Sequence, residues 1–434
     1  MTVSSSDGVV FSNRYRRYAL IVISLVYMLN LVDRSLVAIL LQSIKVDLGL
    51  SDTQLGFLTG LAFALFYSTL GVPIARLADR GNRATLASVA IALWGMTVMS
   101  SVLVGNYAQL LASRVLAAVG EAGCKPPTYS LIGDYFPEPK ERTGAMSVYW
   151  LGSPIAALLS FIAGGALSEH IGWRLTFLVM GIPGLILALL VKWTIKDPWR
   201  LAAARDVKNA GQSVPLRSIL LCLWRVTSLR HLTLALVLLY AMGVGLAPWY
   251  AAFMIRTHHL ETGALGVWLG LIFGVGGILG NLAGGYASAR FFAQNERRQM
   301  QMAAISVAAI LPCLIGFLTL SSTTAAFSCL FPFIVLLNVF LAPTYVLLQR
   351  LVSEETRATT LAIIMLLANL IGMGLGPQIV GVLSDRLAGV AGSESLRYSM
   401  LAMSLLALWA SYHFWCVSRT VTGDLAKMPT AIIP

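Results

Sequence analysis

The stretch Arg114–Lys125, R-V-L-A-A-V-G-E-A-G-C-K, sets the reading of the whole chain. It lies inside an apolar run, residues 107–135, and a bilayer crossing needs only roughly 20 mostly apolar residues. Arg114, Glu121 and Lys125 are spaced seven and four apart, so on one helix they share a face. Charges inside a membrane span are costly, turn toward the protein interior and mark function. A second couple, Asp33–Arg34, sits in the middle of the first apolar run.

Working outward, composition places these charges in a membrane. Of 434 residues, 57% are hydrophobic and 12% charged, with a mean hydropathy of +0.78. A soluble domain carries about a quarter charged residues, so this chain cannot cover a water-facing surface. The net charge of +12 is spread over short loops with no aromatic-interleaved basic domain, which excludes nucleic acid as a partner. Five cysteines show no CxxC or CxxH spacing, so neither a disulfide framework nor a metal site is expected. His170, His231, His258, His259 and His413 fall near span ends or loops and read as interfacial. No intramembrane Asp-Asp pair, Ser-His pair or metal cluster appears, so no catalytic residue and no cofactor are expected. The first 17 residues are polar and end in Arg14, Arg16 and Arg17, and the apolar run after them is too long for a signal-peptide core.

Twelve segments are long and apolar enough to span: near 18–44, 54–78, 84–104, 107–135, 142–168, 173–194, 230–256, 262–290, 300–321, 326–351, 357–386 and 396–418. The N-terminus, the C-terminus and the loops on their side hold 23 of the 31 Lys and Arg. The opposite loops hold five: Lys45, Arg174, Arg256, Arg386 and Arg397. This asymmetry puts both termini in the cytoplasm. It also places Glu121 near midplane, with Arg114 toward the outside and Lys125 toward the cytoplasm. The longest loop splits the chain into residues 1–194, a cytoplasmic linker at 195–229 and residues 230–434. Within the linker, L-R-S-I-L-L-C-L-W-R reads either as a short interfacial helix or as plain linker.

The halves are weak repeats. At an offset of 210, Leu55–Gly56 matches Leu265–Gly266, Gly60–Leu61 matches Gly270–Leu271, and Arg80 matches Arg290. Further on, E-R-T-G-A-M aligns with T-R-A-T-T-L, which pairs Arg142 with Arg357 and roughly Glu169 with Asp385. Two six-span halves of internal similarity are a signature of secondary transporters, whose substrate site lies between the halves near midplane.

The loop after the second span reads A-R-L-A-D-R-G-N-R, residues 75–83. It is similar to the G-x-L-A-D-R-x-G-R-R loop of the major facilitator superfamily, with Ala75 replacing the first glycine and G-N-R replacing x-G-R. The Asn-Arg ending, the Asp33–Arg34 couple and the R-x-x-x-x-x-G-E-A of Arg114–Ala122 resemble the spinster branch. The resemblance implies an all-α fold of twelve transmembrane helices in two pseudo-symmetric six-helix bundles. It implies lysophospholipids or sphingosine-1-phosphate as the substrate class, moved in a proton-linked way. Lys125-Pro126-Pro127 departs from the family pattern.

Asp33 and Arg34 are neighbours and point about 100° apart on a helix, so each needs its own partner. The fourth span offers Arg114 or Lys125 to Asp33, and Glu121 to Arg34. These residues form either a static ion network or a proton-coupling site at Asp33 and Glu121. Burial disfavours a carboxylate's charge and nearby cations restore it, so separating the helices would invite a proton. Lys125 either neutralises Glu121 or, with Arg34 and Arg114, holds an anionic headgroup. Pro126 and Pro127 are expected to kink the span just beyond Lys125. Spans 7–12 offer only mild polar groups: Tyr240, Asn281, Asn338, Tyr345, Asn369 and Gln378. Tyr240, Asn338, Tyr345 and Asn369, with Asn30 of the first span, are candidates to line the cavity, or else make interhelical hydrogen bonds. One charged wall facing an apolar, aromatic one suits an amphipathic solute. The resemblance implies a cytoplasmic gate of Asp79, Arg80, Arg142 and Arg357, with Asp79 facing the helix that starts near Thr356–Arg357. Glycine and proline cluster at 152–154, Gly164–Gly165 and 372–377, as packing and bending positions. The expected protein is a monomeric, multi-pass transporter of the cell's inner membrane, with protons, membrane lipid and a small amphipathic solute as partners. An organic-anion or multidrug carrier is the alternative.

Overall fold

The computed structural model describes residues 11–197, 216–291, 295–352 and 356–427. Among them every regular element is a helix. Nine helical stretches are long and apolar enough to cross a membrane. Two of these, Lys140–Thr194 with 55 residues and Thr359–Lys427 with 69, are long enough for two crossings each. Residues 107–135 form a further, interrupted one, so the expected twelve spans are accommodated. Reversals inside the long stretches fall at glycines in the left-handed region, Gly172 at φ 77° and Gly392 at φ 54°. Helix starts are marked by Ser and Asn caps at Ser51, Asn82, Asn106 and Ser322, each accepting from the N–H three residues on.

Two compact units result. The first comprises Met1–Leu50, Ala62–Ala210 and Glu261–Gly270; the second comprises Ser51–Leu61, Gly211–Leu260 and Leu271–Pro434.

In the first unit, α1 (Asn13–Leu48) and α4 (Arg83–Ser100) both pack on α8 (Gly152–Thr194). The unit also holds α3 (Leu61–Arg80) from Ala62 on, α5 (Tyr107–Ala122), α6 (Lys125–Tyr135) and α7 (Pro139–Trp150). The start of α12 (Thr262–Phe291) belongs here as well. Gly266 faces the Phe161 carbonyl of α8 so closely that a Cβ would lie 2.2 Å from its oxygen.

In the second unit, α2 (Asp52–Thr59) packs on α17 (Gly374–Ala391), where a Cβ on Gly56 would lie 2.5 Å from the Pro377 carbonyl oxygen. Gly56 and Gly266 are the repeat partners read from the sequence, and each admits a backbone where no side chain fits. Around them pack α10 (Thr227–Leu239), α11 (Trp249–His258), α13 (Glu296–Thr319), α14 (Thr323–Val339), α15 (Leu341–Arg350), α16 (Arg357–Leu367), α18 (Ser395–Ser404) and α19 (Leu406–Lys427). The linker segment Leu216–Arg225 is helical (α9), with Ile219 and Leu223 buried and Leu220, Leu221 and Trp224 exposed. Its apolar side chains thus fall partly against the protein and partly on the open surface.

Overpacking a tight contact costs about 1–3 kcal/mol. We therefore expect Gly266→Ala to lower the thermal unfolding midpoint in detergent. Gly285→Ala, whose Cβ would meet nothing within 4 Å, is expected to leave it unchanged.

Candidate functional site

The charged span is not one continuous helix. α5 ends at Ala122 and α6 begins at Lys125, with Pro126 and Pro127 in its first turn. The interruption therefore precedes the prolines rather than following them. A proline nitrogen cannot donate to the carbonyl four residues back, so the missing bonds fall on the turn before it, while the first turn of a new helix tolerates proline.

On the α5 side of this break, two ion pairs join α1. Arg114 Nη1 donates to both oxygens of Asp33, at 2.9 and 2.8 Å. Arg34 donates to Glu121 through Nε at 3.3 Å and Nη2 at 2.5 Å. The adjacent Asp33 and Arg34 thus find separate partners about two turns apart on α5. Asp33, Arg114 and Glu121 are buried, with 1%, 2% and 0% exposure, whereas the Arg34 side chain keeps 30%. Arg114 also lies 5.4 Å from the Phe177 ring, and its Nε and Nη2 have no hydrogen-bond partner. Asn30, one turn from Asp33, is fully buried with its amide oxygen and nitrogen unpartnered.

Lys125 makes no hydrogen bond or ion pair with either couple among the described residues. Its ammonium lies 5.4 Å from the Tyr67 ring and 5.9 Å from the Tyr27 ring. Tyr27 stacks on Tyr149 at 4.3 Å, and Tyr129 meets both Tyr149 and Trp150. Arg34 lies over Phe63 and Tyr67 at 4.7 and 5.1 Å. The first unit therefore carries a cationic patch set in aromatic rings.

In the second unit two of the mild polar candidates sit at π-helical turns, Tyr240–Val244 and Ala368–Met373. Tyr240 opens the first, and Asn369 lies within the second. Such turns widen a helix by one residue and recur at functional sites. They pack together where Gly376 approaches Gly245, a Cβ on either lying 2.8 Å from the other's Cα. Tyr240 hydrogen-bonds Tyr345 at 3.2 Å, and Tyr345 reaches the Met365 sulfur at 3.4 Å. Asn281 donates to Asn338 at 3.5 Å, and each also donates to a carbonyl one turn back. Four of these groups thus make the interhelical bonds read as one of their two possible roles.

Residues 23–377 match the family model of the major facilitator superfamily. The chain belongs to the major facilitator superfamily. An MFS-type efflux pump of Mycolicibacterium smegmatis is 31% identical over 94% of this chain and 93% of its own length. A sphingosine-1-phosphate transporter of Danio rerio is 27% identical over 93% of this chain and 82% of its own. The solved structure of a bacterial homolog of the human lysosomal transporter spinster, inward-facing and unoccupied, superposes with a TM-score of 0.83. It is 27% identical, and the match covers 95% of this chain and 99% of that one. The chain is thus a multi-pass membrane transporter of the superfamily, and its resemblance to spinster proteins runs through nearly all of its length.

Of the four residues expected at a cytoplasmic gate, the side chains of Asp79 and Arg80 lie outside the described residues. Arg142 donates to the Phe136 and Pro137 carbonyls, both at 3.1 Å, and Arg357 to the Gln349 carbonyl at 3.0 Å. These repeat partners both satisfy carbonyls near the end of the preceding helix, α6 and α15 respectively. Glu169 and Asp385 are matched too. Glu169 accepts the Gly263 N–H at the start of α12 at 2.8 Å, and Asp385 accepts the Asp52 and Thr53 N–H groups at the start of α2 at 3.1 and 2.7 Å. An anion at a helix N-terminus is stabilising in each case.

Three clusters escaped the sequence reading. Arg256 forks onto both oxygens of Asp52 at 2.8 Å, and Ser384 donates to Asp52 at 2.6 Å. Arg83 binds Asp197, Asp134 and Ser130, tying α4 to the end of α6 and the residues after α8. Asp197 is fully buried there, so losing its cation is severe. We expect Arg83→Ala to lower the yield of folded protein, and Asp197→Asn in the same chain to restore much of it, by size-exclusion chromatography. His231 and His413 place their Nδ1 atoms 2.7 Å apart, with His413 buried. The S-D-T-Q capping box at Ser51 marked a helix start, but nothing local marked Asp52 as an ion-pair partner.

Proposed function

We propose that the chain is a proton-coupled secondary transporter that carries an amphipathic, lipid-like solute by alternating access of its six-span halves, residues 1–194 and 230–434. The pairing of Asp33 with Arg114 and of Glu121 with Arg34 carries this reading. Two carboxylates with at most 1% exposure are each held by an arginine of another helix. Shifting α1 against α5 parts the ions. A buried carboxylate left without its cation is far costlier than the neutral acid, so a proton binds; reclosing the pair expels it. That is a two-state element biased by pH. Arg142, Arg357, Asp79 and Arg80 form the cytoplasmic latch, and both termini face the cytoplasm of a monomer in the inner membrane.

The lipid-like solute is supported by the aromatic setting of the cations, by the mild polarity of the second unit and by the sphingosine-1-phosphate relative. A second reading, an organic-anion or multidrug carrier, is favoured by the efflux pump of M. smegmatis.

Uptake of lysophospholipid into proteoliposomes under an imposed pH gradient tests the proposal. Asp33→Asn or Glu121→Gln is expected to remove the gradient's effect while leaving exchange of substrate across the membrane. Full gradient dependence in both variants would sink it.

A further inference from the structure

We propose that Lys125 is a headgroup site that selects solutes whose polar end carries net negative charge, a phosphate monoester or carboxylate on an apolar chain, over zwitterionic ones. This rests on the transport reading above and specifies its substrate class.

Charge balance comes first. The patch built by α1, α5 and α6 contains three cations, Arg34, Arg114 and Lys125, and two carboxylates, Asp33 and Glu121. Both carboxylates are committed, Asp33 to Arg114 and Glu121 to Arg34. Lys125 makes no hydrogen bond or ion pair among the described residues. Its closest partners are rings, Tyr27 and Tyr67, while Glu121 and Arg34 act on it through space with opposite signs. Ring faces stabilise an ammonium by about 0.5–2 kcal/mol and leave its charge in place. An unneutralised cation inside a span is costly, and an anionic ligand removes that cost where a zwitterion brings a second positive charge to the same spot.

The backbone adds direction. Lys125 opens α6, directly after the turn that ends α5. Pro126 and Pro127 have no N–H to offer, so beside its own backbone N–H the Lys125 ammonium is the donor at this helix start. The ammonium is a compact point charge with three donors, suited to a phosphate or carboxylate oxygen. Around it, Tyr67, Tyr129 and Trp150 are partly exposed and offer apolar faces to the adjoining chain.

The test is equilibrium binding to the purified full chain in detergent, with oleoyl lysophosphatidate, oleoyl lysophosphatidylcholine and glycerol phosphate as probes. Wild type is expected to bind the lysophosphatidate roughly tenfold to a hundredfold more tightly than the phosphatidylcholine analogue, as one charge-assisted contact provides. Lys125→Met is expected to erase that gap by weakening only the anionic lipid, and Lys125→Arg to keep it. Lys125→Gln serves as a second neutral variant, and the wild-type preference decides even where neither neutral variant folds. No preference in wild type, or a gap that survives in a folded neutral variant, overturns the headgroup assignment and leaves the lipid reading standing. Wild type that binds neither lipid overturns both. Glycerol phosphate bound as tightly as the lysophosphatidate overturns the amphipathic part and identifies a hydrophilic anion as the solute.

Discussion

Arg114→Ala is expected to cost about 3–5 kcal/mol of stability, the range for breaking a buried ion pair from one side. Asp33 is 1% exposed and Arg114 is its ion-pair partner, so the variant leaves a buried carboxylate without its hydrogen-bonded cation. It also removes the guanidinium lying over Phe177. The observable is the thermal unfolding midpoint of the purified protein, together with the monodisperse yield. Asp33→Asn in the same chain removes the orphaned charge and is expected to recover most of the loss. Transport coupling is expected to stay absent in that double variant. Stability and coupling therefore separate: a purely structural network would recover both together. A single Arg114→Ala variant as stable as wild type would show that the pair carries no such energy.

Arg256→Ala is expected to have an effect of similar size, from a place with no mid-membrane charge. Asp52 keeps 3% side-chain exposure and is held by both guanidinium nitrogens of Arg256 and by Ser384. Without Arg256 the carboxylate loses both guanidinium donors, and a buried charge deprived of its cation is poorly compensated. Asp52 also opens α2, whose first N–H groups are held by Asp385. Loss of Arg256 is therefore expected to loosen the start of α2, read as faster amide hydrogen exchange over residues 51–60 than in wild type. Asp52→Asn is expected to be milder, because it removes the charge rather than stranding it. Equal damage from both would mean that the amide cannot replace the carboxylate in this hydrogen-bond geometry.

Much of the fold was legible because its causes are local. A bilayer core leaves backbone groups no partner but the helix itself, so long apolar runs read directly as helices. The positive loops gave the alternation of the spans, and Gly56 with Gly266 marked the repeat before their carbonyl neighbours were known. The charges Asp33, Arg34, Arg114 and Glu121 were legible for the same reason: a charge stands out in an apolar run. Lys125 stood out too, but its lack of a direct bond to either carboxylate did not. The sequence placed it one turn from Glu121, and the break at Gly123–Cys124 that separates them comes from prolines acting backward on the preceding turn. Tyr240 and Asn369 read as mild polar groups, and their position on paired π-helical turns had no local mark.

The sequence by itself determined the twelve spans, their internal repeat and which charges lie within them. Only the tertiary structure decided which charge meets which. Arg256 and Asp52 are 204 residues apart, His231 and His413 182 apart, and Asp33 and Arg114 81 apart. Hydropathy and helix period are summed along the chain and survive any packing. A salt bridge depends on the rotation and axial shift of two helices against each other, set by close contacts such as Gly56 on Pro377, and a shift of one turn would hand each charge a different neighbour.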